Sequence, residues 1–412
     1  MKALKVLLTV FIVLALLFGG LTVANHLNKQ AMFDYVDTFS KVEYENQLTP
    51  ASDELGAYFT TSKVDLGNFQ ITHEDFKIMH LTDVHIGGGL LSASEDKKAF
   101  NAIAAMVHAE KPDLVVITGD ISFAVPWSLT LNNQHAHSMF IRFMENLGVY
   151  YTVAFGNHDS EKYNFHNRQA VADIYSDESL KYCLFDRGPA DVYGECNHTI
   201  TVRNTYGFII QSLVMIDTNA YTDEDPLGLG WVYDNIHEDQ IAWYRSTVEK
   251  QTAYNRQLGE KLGSTEEVPV VKSLVFMHIP IMEVRDAAHL YLEESDEVIY
   301  HGGKIGESAP YVYPSEMPEQ MFETMLELGS TQAMFFGHDH LNNIVLEYKG
   351  VKFSYGYSID YFAYAGIDKV GSQRGCTVIT CKPDTTIEIT HENYYQDKYQ
   401  PLYEKETVDL TN

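Results

Sequence analysis

Basic residues and cysteines are both scarce in this sequence, and each shortage argues against a class of partner or site. The 29 basic residues are outnumbered by 57 acidic ones, giving a formal net charge of −28. A surface this acidic repels polyanions, which argues against nucleic acid as a partner and against a basic patch for anionic lipid. There are four cysteines and no Cys-x-x-Cys pair, so nothing suggests a zinc knuckle.

The four cysteines form two pairs that are close in sequence, and the two pairs differ in whether a disulfide is possible. Cys183 and Cys196 flank a turn rich in Gly and Asp, so a disulfide between them stays open if the compartment is oxidising. Cys376 and Cys381 lie in CTVITC, which reads as a strand. Five residues of strand separate their Cα atoms by about 16 Å, too far for a bridge, so we expect buried free thiols.

Charged residues are absent from residues 6–24, and Lys2 and Lys5 precede this stretch. Nineteen residues of helix span about 28 Å, close to the thickness of a bilayer core. Residues 1–29 are therefore expected to be an uncleaved membrane anchor or a signal peptide cleaved near Ala24. The alternative without a membrane is a helix buried in the protein core. The two leading interpretations place the rest of the chain outside the cytoplasm, as a single-pass membrane protein or as a secreted one.

The remaining chain predicts one α/β domain with short flanking segments. Residues 30–70 are interpreted as a stalk or linker, 71–396 as the domain and 397–412 as a C-terminal extension. Within the domain, FKIMHLTD, DLVVITGD and YYTVAFGNHD are apolar strands separated by helical patterns, a βαβαβ series that predicts a mostly parallel sheet. Next come the hairpin HTITVRN/GFIIQSLVMIDT, a helix over 238–250, a loop over 251–268, the strand SLVFMHIP and a polar insertion from 283 to about 314.

Five predicted strands end in residue types that bind metals. Because carboxyl ends of strands in an open α/β sheet form the binding crevice, these clusters are expected to converge. Each alone is weak, but together they predict a metal site. The five are Asp83-Val84-His85, Gly119-Asp120, Gly156-Asn157-His158-Asp159, His278 and Gly337-His338-Asp339-His340.

The mixture of residue types suits two divalent cations. Metals about 3.5–4 Å apart need a bridging anion, and the Asp120 carboxylate can supply it. Neutral imidazoles and an amide oxygen fill the other positions without cancelling the charge of the metals, so a phosphate ester finds a positive receptor in an acidic protein. His, Asp and Asn ligands suit Mn, Zn or Fe better than Ca.

The order D-x-H, G-D, G-N-H-D, H, G-H-x-H resembles the calcineurin-like metallophosphoesterase superfamily, over roughly residues 76–346. The resemblance implies a four-layer α/β/β/α sandwich and a dinuclear site. It also implies attack on the phosphate by a hydroxide between the metals. The ligands it implies are Asp83, His85 and His340 for one metal, Asn157, His278 and His338 for the other, and Asp120 as the bridge. His158 would contact the phosphate and assist the leaving group.

Two departures narrow the subgroup. Serine/threonine protein phosphatases carry a second Asp and an Arg after the second motif, and GDISFA has neither. Purple acid phosphatases place a tyrosine ligand where this chain has Phe123. The sequence is therefore most similar to the subgroup that is related to purple acid phosphatases but lacks the tyrosinate, which favours divalent metals.

We thus expect an enzyme acting on a small phosphate ester, with membrane contact through the N-terminal segment and no protein partner. The sequence does not decide between a monoesterase and a diesterase. The competing hypothesis is a non-catalytic surface-binding or scaffold protein that keeps the fold. Loop aromatics, among them Trp127, Tyr221 and Tyr233, could line a substrate pocket or simply pack. His80 is expected in the core, and His135 and His137 are left open.

Overall fold

The computed structural model describes residues 2–65, 70–225, 227–265, 267–364, 367 and 374–408. The helices there are α1 (Lys2–Val36), α2 (Ala93–Glu110), α3 (Asn133–Leu147), α4 (Arg168–Tyr175), α5 (Glu238–Lys261), α6 (Met282–Leu292) and α7 (Met321–Leu328). The strands are β1 (Ala51–Asp53), β2 (Gly56–Thr60), β3 (Ser62–Asp65), β4 (Gln70–His73), β5 (Phe76–Leu81), β6 (Leu114–Thr118), β7 (Tyr151–Ala154), β8 (His198–Arg203), β9 (Ile209–Met215), β10 (Ser273–Phe276), β11 (Val298–Gly302), β12 (Thr331–Phe336), β13 (Val345–Tyr348), β14 (Val351–Tyr355), β15 (Gly375–Cys381) and β16 (Ile387–Asn393).

The smaller of two large sheets has the order β16-β15-β5-β6-β7. Strands β5, β6 and β7 pair in parallel, with α2 and α3 as the connections, as the βαβαβ pattern predicts. All residues of β6 and β7 are buried, which explains why both read as continuous apolar runs. The CTVITC segment is the antiparallel strand β15, beside β5.

The larger sheet has the order β1-β2-β8-β9-β10-β12-β14-β13-β11. Strands β9, β10, β12 and β14 run parallel, and β8 and β9 form the predicted antiparallel hairpin. Strands β1 and β2 come from the stretch interpreted as a stalk. The buried ring of Phe59 and the parallel pairing of β2 with β8 make this stretch part of the sheet.

Alternate residues of the larger sheet belong to two different cores, and this defines the layers. Leu213 and Met215 pack in the core shared with the smaller sheet and α2, whereas Val214 and Ile216 pack against α5 to α7. The period of two along a strand puts these pairs on opposite faces. The predicted four-layer α/β/β/α architecture, preceded by an apolar helix, is therefore confirmed.

Three segments are more ordered than the sequence indicates. Helix α5 continues to Lys261 through a segment expected to be a loop, because buried residues such as Gln251 extend its packed face. The polar insertion contains α6, which buries Val284, and the short strand β11. In the C-terminal segment, Tyr399 is fully buried.

Helix α1 is one continuous helix whose two ends have different surroundings. Its C-terminal part packs on the domain, where Met32 and Val36 are buried. The Nδ2 atoms of Asn25 and Asn28 donate hydrogen bonds to the carbonyls of Leu129 (2.7 Å) and Gly89 (2.9 Å). The apolar side chains near its N-terminus are exposed, and the helix is long and apolar enough to cross a membrane by length and composition.

The four cysteines are free thiols in this structure. Cys196 is buried, and its Sγ accepts a hydrogen bond from the backbone N–H of Phe155. The Cys183 thiol donates instead to the carbonyl of Tyr175. The two residues for which a disulfide was left open thus have separate partners.

A buried ion pair fixes the backbone after β7. Arg168 Nε lies 2.9 Å from Asp217 Oδ2, and the Asp217 carboxylate is fully buried. The guanidinium also donates to the carbonyls of Phe155 (3.1 Å) and Gly156 (2.9 Å). Burial raises the pKa of Asp217, but Arg168 outweighs it and holds that pKa below its ordinary value.

We predict that Asp217→Ala lowers the free energy of unfolding by about 3–5 kcal/mol, because it leaves a buried guanidinium unpaired. Chemical denaturation followed by tryptophan fluorescence measures this. The matched control is Asp173→Ala, which removes the ion pair between Asp173 and Arg187. Because the Asp173 side chain is 70% exposed, this variant should change stability little. Equal effects for both variants would contradict the structural role of the buried pair.

Candidate metal centre

The five sequence clusters follow strands of both sheets at one edge of the sandwich. Strands β5, β6 and β7 end a few residues before Asp83, Asp120 and Asn157, and β10 and β12 end just before His278 and His338. Because the sheets pack face to face, the carboxyl ends of their parallel strands meet. The structure therefore brings together side chains that are up to 257 residues apart in sequence (340 − 83 = 257).

Two groups of side chains have the geometry to hold a cation. In the first, ligand atoms of Asp83, His85, Asp120 and His340 all lie within 4.8 Å of one another. The second consists of Asp120, His278 and His338 with the same spread. Asp120 belongs to both, and its Oδ2 lies 3.4 Å from His85 Nε2 and 3.0 Å from His278 Nε2.

Asn157 is the amide expected in the second ligand group. Its Nδ2 donates a 2.9 Å hydrogen bond to the hydroxyl of Tyr221, which fixes the orientation of the amide. Its Oδ1 is buried and, within the described residues, has no hydrogen-bond partner. An amide oxygen held in this way is available to a metal.

Other buried atoms of the site lack partners in the same way. They are His85 Nδ1 and Nε2, Asp120 Oδ2, His278 Nε2 and His340 Nδ1, judged against the described part of the chain. A buried polar atom without a partner is destabilising by roughly 1–3 kcal/mol, so a concentration of them at one point indicates a bound group. These donors fit divalent metals of the Mn, Zn and Fe kind.

The backbone at the site is strained where the side chains converge. Asp83, His85, Asp120 and His338 have φ values of 51°, 52°, 51° and 73°. Non-glycine residues in this left-handed region are sparse and cluster at functional sites. A Cβ added at Gly156 would lie 2.2 Å from Asp120 Oδ1, so only glycine lets the two loops approach this closely.

Asp159, the last residue of the Gly-Asn-His-Asp motif, secures the strained loops and belongs to neither ligand group. Its carboxylate accepts hydrogen bonds from the backbone N–H groups of Asp120 (3.0 Å), Ile121 (2.8 Å) and Gly156 (2.8 Å), and from that of Ser122. One buried side chain thus ties the loop after β6 to the loop after β7.

Asp360 is a part of the site that the sequence analysis missed. Its Oδ2 lies 3.8 Å from Nδ1 of both His85 and His340, and backbone N–H groups of Phe362 and Tyr364 hold the carboxylate. A carboxylate behind a ligand histidine orients the ring and raises its basicity. Asp360 follows β14, so a polar residue after a buried strand was the available signal.

The site has a strongly negative electrostatic character. Burial lowers the pKa of His85, but Asp360 and Asp120 overcome it and raise that pKa to about 9. Burial likewise opposes protonation of His278, whose pKa Asp120 raises to about 9. The Nδ1 of His278 is 2.7 Å from the carbonyl of Thr118, which leaves Nε2 facing Asp120. Burial instead lowers the pKa of His338 and of His340, so the field that favours a cation is centred on Asp120 and Asp360.

His158 lies beside the two groups and belongs to neither. Its backbone N–H donates to Asp120 Oδ1 at 2.8 Å, and its Nδ1 lies 2.6 Å from Oε1 of Glu161. Glu161 is buried and was not singled out from the sequence, although its position three residues after His158 is a signal for such a contact. Burial lowers the pKa of His158, but Asp120 and Glu161 raise it above the ordinary value.

Aromatic rings form the walls of the site. The Tyr233 ring lies 4.5 Å from His338 and stacks on Tyr221 at 5.5 Å. The Phe123 ring is 5.5 Å from His85 and 5.0 Å from His158. These loop aromatics therefore border the candidate ligands instead of packing elsewhere.

Two of the histidines left outside the ligand set are structural. His80 lies in the core, as expected, and its Nε2 contacts Thr118 Oγ1 at 2.7 Å. His137 is buried between the Tyr175 hydroxyl and the carbonyl of Asp159. His135 lies near the surface beside α1.

Known proteins resemble this chain in sequence and in fold. Two relatives from Arabidopsis thaliana, named "Probable inactive purple acid phosphatase 28" and "Probable inactive purple acid phosphatase 14", are each 24% identical to it. The first alignment covers 70% of this chain and 71% of the relative, the second 79% and 80%. A dimetal phosphatase from Danio rerio aligns with a TM-score of 0.48 at 12% identity, covering 78% of this chain and 97% of that one.

The family profile described as "Calcineurin-like phosphoesterase" matches residues 76–342 of the 412. This range is well over half of the chain and contains both groups of candidate ligands together with His158. The chain belongs to the calcineurin-like phosphoesterase family.

Proposed function

We propose that this protein is a metal-dependent phosphoesterase that hydrolyses phosphate esters at a dinuclear site. The observation that carries the proposal is the position of Asp120 Oδ2, which is shared by both ligand groups and lies in a field that favours cations. One metal would be held by Asp83, His85, Asp120 and His340, and the other by Asp120, Asn157, His278 and His338.

Bound divalent cations would lower the pKa of a water molecule, supply the nucleophile and neutralise the phosphate. The chain itself positions these ligands and provides His158. With Nδ1 directed at Glu161, the Nε2 atom of His158 is the one left to contact the ester and to protonate the leaving oxygen. Phe123 packs against the ring and limits its rotation.

The rival function is a scaffold or surface-binding protein without turnover, and the names of the two Arabidopsis relatives include the word "inactive". Loss of catalysis releases constraints on the ligands first. In this chain the seven ligand residues and His158 are all present, and their unpartnered atoms converge, which supports the enzyme. Metal analysis with a panel of chromogenic phosphate mono- and diesters separates the two functions and identifies the ester class.

We further propose that α1 is an uncleaved anchor that keeps the catalytic domain on the outer side of a membrane. The support is the continuity of the helix from its exposed apolar part to Met32 and Val36 in the core. Cleavage near Ala24 would leave Asn25 at a free terminus, although its side chain bonds both Leu129 and Leu90.

The first prediction concerns the shared carboxylate. Asp120→Asn removes the only negative charge common to both groups and is expected to abolish metal binding and nearly all turnover. Metal content by mass spectrometry and hydrolysis of 4-nitrophenyl phosphate esters measure the two effects. A variant that keeps both metals and most of its rate would falsify the site assignment.

The second prediction concerns leaving-group assistance. His158→Ala is expected to retain the metals and lose about 10²–10⁴-fold in kcat, the range for a general acid. The loss should be smaller for nitrophenyl than for alkyl esters, because a good leaving group needs no proton. Glu161→Gln should show the same leaving-group pattern with a smaller loss, since it weakens the orientation of His158. Equal losses for both kinds of ester would leave His158 only a phosphate-binding role.

The third prediction concerns colour and metal identity. Phe123 has no oxygen at the position of the iron-binding tyrosine in purple acid phosphatases, and the Tyr221 hydroxyl is bonded to the Asn157 amide. The purified protein should be colourless or faintly coloured, active with Mn, Zn or Fe(II), and inhibited by chelators. An intense violet absorption band in the protein as purified would contradict this.

A further inference from the structure

An apolar cleft of about 510 Å³ lies where α1 meets the catalytic domain. One wall is the end of the apolar stretch of α1, and the other comes from the segment after β6 and from the loop after β7. The main lining residues are Leu21, Thr22, Pro126, Leu129, Leu131 and Phe165.

The level of the cleft relative to a bilayer follows from the proposed anchor. The apolar stretch ends at residue 24, before the polar residues Asn25 and His26, so the outer boundary of the hydrocarbon lies near this residue. Leu21 and Thr22 are still within the stretch, and Asn25 ties the helix to the loops at Leu90 and Leu129. The cleft therefore opens at the outer leaflet.

Three large exposed apolar side chains lie in the cleft wall or in segments next to it. Phe165 lines the cleft, Trp127 follows the lining residue Pro126, and Leu91 donates its backbone N–H to the carbonyl of Ser128. Phe165 is 69% exposed, Trp127 59% and Leu91 59%. Each belongs to a segment that follows one of the strands β5, β6 and β7, which supply candidate metal ligands. Large exposed apolar side chains of this kind are suited to contact with lipid, and the cleft that Phe165 lines borders α1.

Ring contacts connect this rim to the metal centre. Trp127 is 5.8 Å from Phe123, and Phe123 is 5.5 Å from the candidate ligand His85. Pro126, next to Trp127, lines the cleft. Neighbouring apolar residues thus link the cleft to the site proposed to bind phosphate.

We propose that the substrate is a phosphate ester of a membrane lipid, with an acyl or alkyl chain held in this cleft and the phosphate at the metal centre. The proposal rests on the phosphoesterase function and on the anchor proposed above. It also accommodates the net charge of −28, because apolar contacts and metals, rather than basic residues, would recruit the lipid.

The test uses esters that differ only in chain length, with the full-length metal-loaded protein in maltoside micelles. One pair is ethyl phosphate and hexadecyl phosphate, and the other is ethyl 4-nitrophenyl phosphate and hexadecyl 4-nitrophenyl phosphate. In the class that is hydrolysed, the hexadecyl ester should have a kcat/KM at least about 100-fold higher, since each buried methylene contributes about fourfold.

Variants separate the cleft from simple partitioning into micelles, which raises the rate for the long ester in every variant. Phe165→Lys changes an exposed side chain, so this variant is expected to fold normally. Leu131→Lys changes a partly buried side chain. Both should lower the hexadecyl-to-ethyl ratio by about tenfold or more, as expected for loss of a large apolar contact. The control Leu262→Lys, at a position 58% exposed after α5, should keep the ratio of the unmodified protein.

The outcomes distinguish the two levels of the proposal. If neither member of either pair is hydrolysed, the phosphoesterase function itself is wrong and the lipid substrate falls with it. If the ethyl and hexadecyl esters react equally well, or if Phe165→Lys and Leu131→Lys leave the ratio unchanged, the enzyme is a phosphoesterase but the cleft holds no lipid chain.

Discussion

The site depends on the buried carboxylate of Asp120, in which only one of the two oxygens accepts a hydrogen bond from the described residues. Its Oδ1 accepts a hydrogen bond from the backbone N–H of His158. Its Oδ2 has no hydrogen-bond partner of good geometry in the described part of the chain, and it lies 3.4 Å from His85 Nε2 and 3.0 Å from His278 Nε2. An isolated buried carboxylate is strongly destabilising unless a positive charge compensates it. The candidate ligand histidines, the strained backbone and the surrounding hydrogen bonds are arranged so that bound cations would provide this compensation.

Rigid elements of the fold hold the strained backbone of the site in place. The ligands lie directly after buried strands of two packed sheets, so the scaffold fixes their backbone before any metal is bound. Asp159 then ties two of the loops together through backbone N–H groups, and Gly156 allows their close approach. Asp360 and the carbonyl of Thr118 orient the imidazoles from behind. Precision at the site is a property of these supports as much as of the ligands.

The same strand ends also determine what surrounds the metals. The segments that follow β5, β6 and β7 continue past their candidate ligands to Leu91, Trp127 and Phe165, and the segments after β6 and β7 line the cleft beside the outer end of α1. In the proposed anchored state, the catalytic edge of the sandwich would therefore lie near the membrane surface. Chemistry and location would then be coupled through these short segments.

The sequence by itself determined the apolar helix, the βαβαβ half of the domain and the ligand types, because periodicity and strand-end motifs are local signals. It did not determine that β2 joins the large sheet or that Tyr399 is buried, since these depend on pairing and packing between distant segments. For a similar reason, the sequence did not identify Asp360 and Glu161 as parts of the site. A single carboxylate after a strand, or three residues beyond a histidine, is common, and only tertiary proximity to the imidazoles gives it a role. The cleft beside Phe165 is likewise tertiary, because the apolar end of α1 forms it only together with loops from two other parts of the chain.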